Sequence, residues 1–107
     1  MSGPLTGIRV VDLTINILGP LAAQILGDLG ADVIKVETPQ GDPMRDSGPA
    51  RNPGMAALFM NTNRNKRSVV LDLKKSPAHA ALMRLVETAD VFVRGLRPAA
   101  AERLGIA

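Results

Sequence analysis

The sequence predicts an α/β fold in which flanking helices cover a parallel β-sheet. Short apolar, β-branched segments alternate along the chain with segments of helical periodicity, and glycine or proline stands near most boundaries between them. The composition, with 46% apolar and 21% charged residues, is typical of a globular protein. Strands that alternate with helices form βαβ units, whose crossover connections produce parallel pairing. At 107 residues, the chain is expected to form one domain or part of one.

The first βαβ unit begins near the N-terminus. Residues 8–13 and residues 31–37 are apolar runs of strand length. Between them, residues 20–29 are predicted to form a helix with an apolar face, and Gly30 is placed to end it in a left-handed conformation. Gly27 lies inside this helix, where glycine is unfavourable, so it indicates close backbone packing. The apolar row of the helix consists of Leu21, Ile25 and Leu29.

The second half of the chain repeats the alternation after a long interruption. Residues 38–54 contain so many prolines and glycines that they predict a loop, and a loop of this length in a compact chain is usually functional or mobile. Residues 55–60 form an apolar patch of about one helical turn. The later elements are predicted as a strand at 68–73, a helix at 76–89, a strand at 90–93 and a helix at 98–104.

A basic segment precedes the third predicted strand. Arg64, Lys66 and Arg67 lie beside two asparagines, and all of these side chains are donors suited to phosphate oxygens. Fixed cations next to a rigid strand favour a phosphorylated cofactor over a polymer. The alternative interpretation is a solvated loop, because runs of charge usually face water.

The composition excludes several classes of function. The absence of cysteine excludes disulfides, thiolate catalysis and cysteine-based metal sites, and a single histidine makes a metal site improbable. Two phenylalanines are the only aromatic residues, and the net charge of +3 is mild, so no nucleic-acid partner is expected. The N-terminus lacks the pattern of a signal peptide, and no apolar run reaches membrane-spanning length. A cytoplasmic protein without a membrane partner is therefore expected.

Neither a dinucleotide site nor a catalytic residue is predicted from the residues themselves. Glu37 ends the second strand where a ribose-binding acid would lie, but the preceding turn lacks the Gly-x-Gly-x-x-Gly pattern. Leu18 would block the approach of a pyrophosphate. Glu37 could instead be a solvated acid paired with Lys35 or Arg45. No serine–histidine constellation for nucleophilic catalysis is evident.

Several segments together carry a resemblance to a known family. They are LTGIRVVDLT at 5–14, GP at 19–20, LGADVIKVE at 29–37, GDPMR at 41–45, NRNKRSVVLDLK at 63–74, ADV at 89–91, RP at 97–98 and RLG at 103–105. In this order and spacing, the chain resembles the N-terminal part of the family III CoA transferases. That family includes formyl-CoA and carnitine CoA-transferases and α-methylacyl-CoA racemase.

The resemblance implies a Rossmann-like larger domain, of which residues 1–107 are an incomplete N-terminal portion. It implies a protein several times as long that forms an interlocked homodimer and binds coenzyme A or acyl-CoA, without a metal. Carried over by position, the cofactor-binding residues would be Ile17, Leu18, Leu71, Asp72, Leu73, Lys74, Gly95, Leu96, Arg97 and Arg103.

The implied contacts agree with the chemistry of these positions. Lys74, Arg97 and Arg103 would meet phosphates, apolar or backbone groups would meet adenine and pantetheine, and Gly95 would leave room for close approach. One departure is Thr38, because some members carry an arginine there.

The implied activity is the transfer of CoA between carboxylic acids. In transferases of the family an aspartate carboxylate attacks the acyl-CoA, and anhydride and thioester intermediates follow. The same fold also supports racemisation of 2-methylacyl-CoA, and a non-catalytic nucleotide-binding module is a second alternative. The catalytic residues of the family lie beyond residue 107, so no catalytic residue is assigned and the chain alone is expected to be inactive.

Overall fold

In the computed structural model, which describes residues 3–96 and 98–106, strands and helices alternate as the sequence predicts. The helices and strands, in chain order, are β1 (Arg9–Leu13), α1 (Leu18–Asp28), β2 (Asp32–Glu37), a 3₁₀ helix (Pro43–Asp46), α2 (Ala57–Thr62), β3 (Lys66–Val70), α3 (Ser76–Glu87), β4 (Val91–Arg94) and α4 (Pro98–Arg103). None of these helices is long and apolar enough to cross a membrane.

The four strands form one parallel sheet in the order β3-β2-β1-β4. Val11 on β1 pairs with Ile34 on one side and with Phe92 on the other, so β1 and β2 are the central strands. The α/β fold with a parallel sheet is therefore confirmed. The chain advances from β1 to β3 in one direction and then crosses back to place β4 on the other side of β1. In such sheets, ligands bind outside the carboxyl ends of the strands where this reversal occurs.

Each face of the sheet has its own apolar core. On one face, Val11, Leu13 and Val36 pack with Leu82 of α3 and Ala101 of α4. The cluster on the other face combines two sheet valines with two alanines from α1 and the turn that follows it. Its buried members are Val10, Ala23, Ala31 and Val33. Both faces of the central strands are therefore covered, as expected for a parallel sheet, although Asp12, Lys35 and Glu37 of these strands are buried charged residues.

Helix α1 packs on the sheet through small residues. Its buried positions are Pro20, Ala23, Gln24 and Gly27. A Cβ atom placed on Gly27 would lie 3.2 Å from the Asn65 carbonyl oxygen, which confirms the predicted close packing there. The apolar row lies on the opposite, solvent side of the helix, with exposures of 38% for Leu21, 50% for Ile25 and 41% for Leu29.

Strand β3 is shifted from its predicted position. It begins at Lys66 and ends at Val70, so two residues of the basic segment belong to the strand. The prediction assumed that a buried strand starts at its first apolar residue, but the Lys66 side chain is itself buried among hydrogen-bond acceptors. The backbone N–H of Leu71 still donates to the Glu37 carbonyl at 2.9 Å, and the chain then turns toward α3.

The predicted long loop contains one short regular element. Asp42 begins the 3₁₀ helix, and its carboxylate accepts a hydrogen bond from the Met44 backbone N–H. Gly41 adopts a φ of 80°, a conformation that favours glycine. The rest of residues 38–54 is irregular apart from an isolated antiparallel bridge between Ala50 and Ala56.

Candidate functional site

A cleft opens at the carboxyl edge of the sheet, beside the ends of β1 and β2. Its main chamber, at the ends of these two strands, has a volume of roughly 280 Å³. The chamber is mainly apolar, and its apolar side chains come from β1, β2 and the segments that follow β3, β4 and α4. They are Leu13, Ile15, Val36, Leu73, Leu96 and Leu104. Glu37, Thr38, Gln40 and Asp42 also border the chamber.

Two further hollows extend this cleft toward α4. The first, of roughly 190 Å³, is shared by Thr38, Asp72 and Lys74. The second, of roughly 420 Å³, is bordered by Lys74 and Arg103. Leu104 lines all three spaces, so they form one continuous surface. One end of this surface is apolar and the other end is cationic.

The two cations of the cleft have no carboxylate partner within the described parts of the chain. Lys74 lies in the turn after β3, and Arg103 lies in the last turn of α4, and both side chains are exposed. The described ion pairs include neither of them. Their charges are therefore available to an anion.

The cations of the basic segment pair with carboxylates of the chain, which does not support its interpretation as a phosphate-binding loop. Arg64 pairs with Asp28 at 2.5 Å, and Arg67 pairs with Asp32 at 2.7 Å. Lys66 Nζ donates to Asp12 at 2.7 Å, to Asn63 at 2.7 Å and to the Pro20 carbonyl at 3.0 Å. These three cations bind the segment to α1 and to the sheet.

Burial lowers the pKa of Lys66, although Asp12 beside it opposes the shift. The side chain of Lys66 is 2% exposed, so an external phosphate could not reach it without rearrangement. The solvated-loop alternative does not describe Lys66 either, because its ammonium group lies inside the protein.

Glu37 is a partner of Arg45, which confirms one of the two predicted pairings. The Arg45 guanidinium donates to Glu37 Oε1 at 2.6 Å and to Oε2 at 2.8 Å. The Ser68 hydroxyl donates to Glu37 Oε1 and the Asp42 backbone N–H donates to Glu37 Oε2, at 3.1 Å each. Burial acts to raise the pKa of Glu37, but these donors outweigh it and hold that pKa below its ordinary value. A carboxylate with four donors has no free acceptor position for a ribose.

The turn between β1 and α1 is held by side chains rather than by glycines. The Asp12 carboxylate accepts hydrogen bonds from the backbone N–H and the hydroxyl of Thr14. A Cβ atom on Gly19 would lie 2.6 Å from the Thr14 Cβ, so that glycine is needed for packing. Asn16 adopts a φ of 73° within the turn. Two backbone N–H groups of the turn are therefore already occupied, that of Thr14 by Asp12 and that of Asn16 by Asp42.

The structure brings together about half of the cofactor-binding residues predicted from the sequence. Asp72, Leu73, Lys74, Leu96 and Arg103 line the cleft. Asp72 also accepts a hydrogen bond from the Lys74 backbone N–H at 3.3 Å, which shapes the turn that carries the lysine.

The remaining predicted residues lie nearby or outside the described chain. Ile17 and Leu18 start α1 and are exposed by 46% and 83%, and neither is among the described residues that line the three hollows. Leu71 directly follows β3. Gly95 follows β4, and a Cβ atom there would meet Thr14 only at 3.8 Å, so space remains beside it. Arg97 lies outside the described residues.

Several residues of the cleft were not predicted from the sequence. They come from β1, β2, the loops that follow these strands and the end of α4, and they are Leu13, Ile15, Val36, Gln40 and Leu104. One signal could have found the first three: residues at the ends of parallel strands share one edge of the sheet. Leu104 and Gln40 join the cleft only through the packing of α4 and the loop after β2. No group of acidic residues and histidine suited to a metal ion occurs among the described residues.

The geometry defines an α/β protein with an amphipathic cleft at the switch point of a parallel sheet, suited to a ligand that is anionic at one end. The family model described as CoA-transferase family III matches residues 5–107. The chain therefore belongs to CoA-transferase family III, as its motifs indicate.

The relatives place the chain within longer proteins. It is 47% identical over 106 residues to the probable fatty acyl-CoA transferase Rv3272 of Mycobacterium tuberculosis, covering 96% of this chain and 27% of that protein. It is 46% identical over 101 residues to the succinate–glutarate CoA-transferase of Agrobacterium fabrum, covering 88% and 25%. The crystal structure of a CAIB/BAIF family protein from Brucella suis superposes with a TM-score of 0.92 at 39% identity, covering 100% of this chain and 29% of that one. The chain spans about a quarter of these relatives.

Proposed function

We propose that this chain is the CoA-binding part of an acyl-CoA:carboxylate CoA transferase, an N-terminal portion of its larger domain. The observation that carries the proposal is the cleft in which Lys74 and Arg103 share one end without carboxylate partners among the described residues. Membership of CoA-transferase family III supports a CoA thioester as the ligand.

The two ends of the cleft match the two chemical halves of coenzyme A. A phosphorylated adenosine end requires cations, and Lys74 and Arg103 supply two of them at adjacent positions. Arg97 is proposed as a third. Adenine and the pantetheine arm require apolar surface, which Leu73, Leu96 and Leu104 provide. Ile17, Leu18, Leu71 and Gly95 are proposed to contact the same ligand along the exposed rim.

In this proposal the chain binds the thioester, and the groups that react with it belong to residues outside the chain. Transfer of CoA requires a carboxylate that attacks the thioester carbonyl and releases the thiolate of CoA. Glu37 and Asp42 are the acids that border the main chamber, and both already face cations, at 2.6 Å from Arg45 and 3.0 Å from Lys35. This supports an attacking carboxylate from outside the 107 residues. A cytoplasmic homodimer of the longer protein, which the family resemblance implies, belongs to the same proposal.

Transfer is preferred to racemisation because the relatives described above are named as transferases. Racemisation of a 2-methylacyl-CoA would use the same CoA contacts and different reacting groups. The two therefore share the binding experiment below, and only transfer requires a carboxylic acid that accepts CoA.

Titration calorimetry with CoA tests the proposal directly. The chain should bind CoA and should not bind NAD. Lys74→Ala and Arg103→Ala should each weaken CoA binding by about 1.5–3 kcal/mol, the cost of losing a charge-assisted contact. Arg84→Ala is the matched control, because Arg84 is an exposed cation on α3 that forms no ion pair with the described residues and does not line the cleft. Binding to NAD without binding to CoA, or equal losses in all three variants, would refute the proposal.

A further inference from the structure

Two loops border the cleft, and one buried pair of charges connects them. The first loop, residues 14–17, follows β1, and the second loop, residues 38–46, follows β2. Lys35 of β2 lies beneath both. Its Nζ donates to the Thr14 carbonyl of the first loop at 2.9 Å and lies 3.0 Å from Asp42 Oδ2 of the second loop. The side chains of Lys35 and Asp42 are 1% and 0% exposed.

Asp42 makes the same connection from the other side. Its Oδ1 accepts hydrogen bonds from the Asn16 backbone N–H at 3.3 Å and from the Met44 backbone N–H at 2.9 Å. Its own backbone N–H donates to Glu37 Oε2 at 3.1 Å. The Asp42 carboxylate therefore accepts hydrogen bonds from both loops, while the Asp42 backbone N–H is bonded to Glu37 at the end of β2. The Lys35–Asp42 pair is a single cross-link between the two loops.

The cross-linked loops form part of the wall of the main chamber. Ile15 of the first loop lines it, as do Gln40, Gly41 and Pro43 of the second. A displacement of either loop would therefore change the shape of the chamber.

The ionic character of this cross-link is unexpected on stability grounds alone. A buried ion pair is frequently no more stabilising than apolar residues of similar volume, because both ions must be removed from water. Apolar side chains would fill the space, but they could not hold two loop backbones by directed hydrogen bonds. The pair therefore provides geometry rather than net stability.

We propose that Lys35 and Asp42 are positioning residues that hold both loops in the arrangement that accepts the apolar part of CoA. This inference rests on the proposed function. If the loops are released, only a fraction of the molecules have a chamber shaped to accept CoA. The apparent affinity is then the intrinsic affinity multiplied by that fraction. The cationic end, which depends on Lys74 and Arg103, contains neither residue.

The test compares two ligands on the double variant Lys35→Met/Asp42→Asn, which removes both charges and keeps an oxygen acceptor for the Met44 N–H. The ligands are CoA and adenosine 3′,5′-bisphosphate, which carries the phosphates of CoA without the pantetheine arm. CoA affinity should fall about tenfold as the competent fraction falls. Bisphosphate affinity should change by less than about twofold, because the hollow bordered by Lys74 and Arg103 contains no residue of either loop and should respond independently. If the double variant does not fold, hydrogen exchange of the wild type carries the test: bound CoA should slow the exchange of the Asn16 and Met44 N–H groups together, and protection of neither would overturn the proposal.

The matched control is Arg64→Met/Asp28→Asn, which removes an exposed ion pair that touches neither loop. It should bind both ligands like the wild type. Amide hydrogen exchange supplies a readout that needs no ligand: the N–H groups of Asn16 and Met44 should exchange faster together in the Lys35→Met/Asp42→Asn variant, while the β1 and β2 amides stay protected. Unchanged CoA affinity, equal losses for both ligands, or loosening of one loop alone would overturn the positioning role. If the wild type binds neither ligand, the proposed function itself fails.

Discussion

At the scale of single residues, the presence or absence of a partner decides what each charge does. Arg64, Lys66 and Arg67 all lie close to carboxylates and act as their counter-ions, Lys66 inside the protein and the two arginines at its surface. Lys74 and Arg103 lack such partners in the described chain and face a shared hollow. A local run of cations is therefore a poor guide to an anion site. Isolated cations that the fold brings together are better evidence.

The pairing of Glu37 with Arg45 could be predicted from the sequence, whereas the pairing of Lys66 with Asp12 could not. The first pair is separated by eight residues at the end of a strand. The second is separated by 54 residues, and it forms only because β3 and β1 lie on either side of β2. Knowledge of strand order is needed before that contact can be proposed.

Glu37 gives the chain a defined acid sensitivity. Its pKa is lowered in the folded protein, so its contribution to stability is present above its unfolded pKa of about 4.5 and is lost as the pH falls through the folded value. Glu37→Gln should lower the free energy of unfolding by about 2 kcal/mol at pH 7, because Arg45 loses a charged acceptor. Urea denaturation between pH 3 and pH 7 (roughly the range of carboxyl titration) measures both effects. A wild type and a Glu37→Gln variant that lose stability in parallel on acidification would contradict this role.

At the scale of elements, helix α1 shows how a correct helix prediction can leave its orientation open. Apolar periodicity located the helix, but the larger apolar side chains point to solvent and the smaller residues pack on the sheet. The reason lies beneath the helix, where Asp12 and Lys66 occupy space beside the backbone, and Lys66 donates to the Pro20 carbonyl. Hydropathy ranks leucine above glycine and alanine for burial, and it contains no information on the distance between helix and sheet.

A pair of neighbouring alanines tests this orientation. Ala23 is fully buried, whereas Ala22 is exposed. Ala23→Leu should destabilise the chain by about 1–3 kcal/mol, because extra methylene groups have no room between α1 and the sheet. Ala22→Leu should stay within about 0.5 kcal/mol of the wild type. Thermal or urea unfolding of the two variants gives the comparison, and a larger loss for Ala22→Leu would mean that α1 is rotated from the described position.

Strand β3 shows a second limit of prediction from the sequence, which concerns the ends of a strand. The apolar residues predicted a strand at 68–73, whereas the sheet pairs Lys66 with Val33 and Val70 with Glu37. The ends of a strand are fixed by its neighbour, because β2 offers partners only along its own length. Leu71 and Leu73 keep their apolar role, but Leu73 lies in the cleft wall rather than in the sheet.

At the scale of the whole molecule, the order of the strands creates the cleft. Alternating strands and helices predicted the parallel sheet, and the sheet was confirmed with the order β3-β2-β1-β4. The cleft requires more than this order, because it also requires α4 to return Leu104 to the ends of β1 and β2. Motif resemblance named Leu73, Lys74, Leu96 and Arg103 before their proximity was known. Residue patterns alone would not have joined positions so distant along the chain.

The measurement that tests the central claim most directly is the mapping of CoA binding by backbone amide chemical shifts in solution. Added CoA should shift the amide signals of Leu73, Lys74, Leu96 and Arg103, with smaller changes in the loop after β2. The amide signals of Arg64, Lys66 and Arg67 should not shift, because carboxylates of the chain already pair with those side chains. Shifts confined to residues 64–67, with none at Lys74 or Arg103, would contradict the claim that the unpaired cations of the cleft bind the ligand.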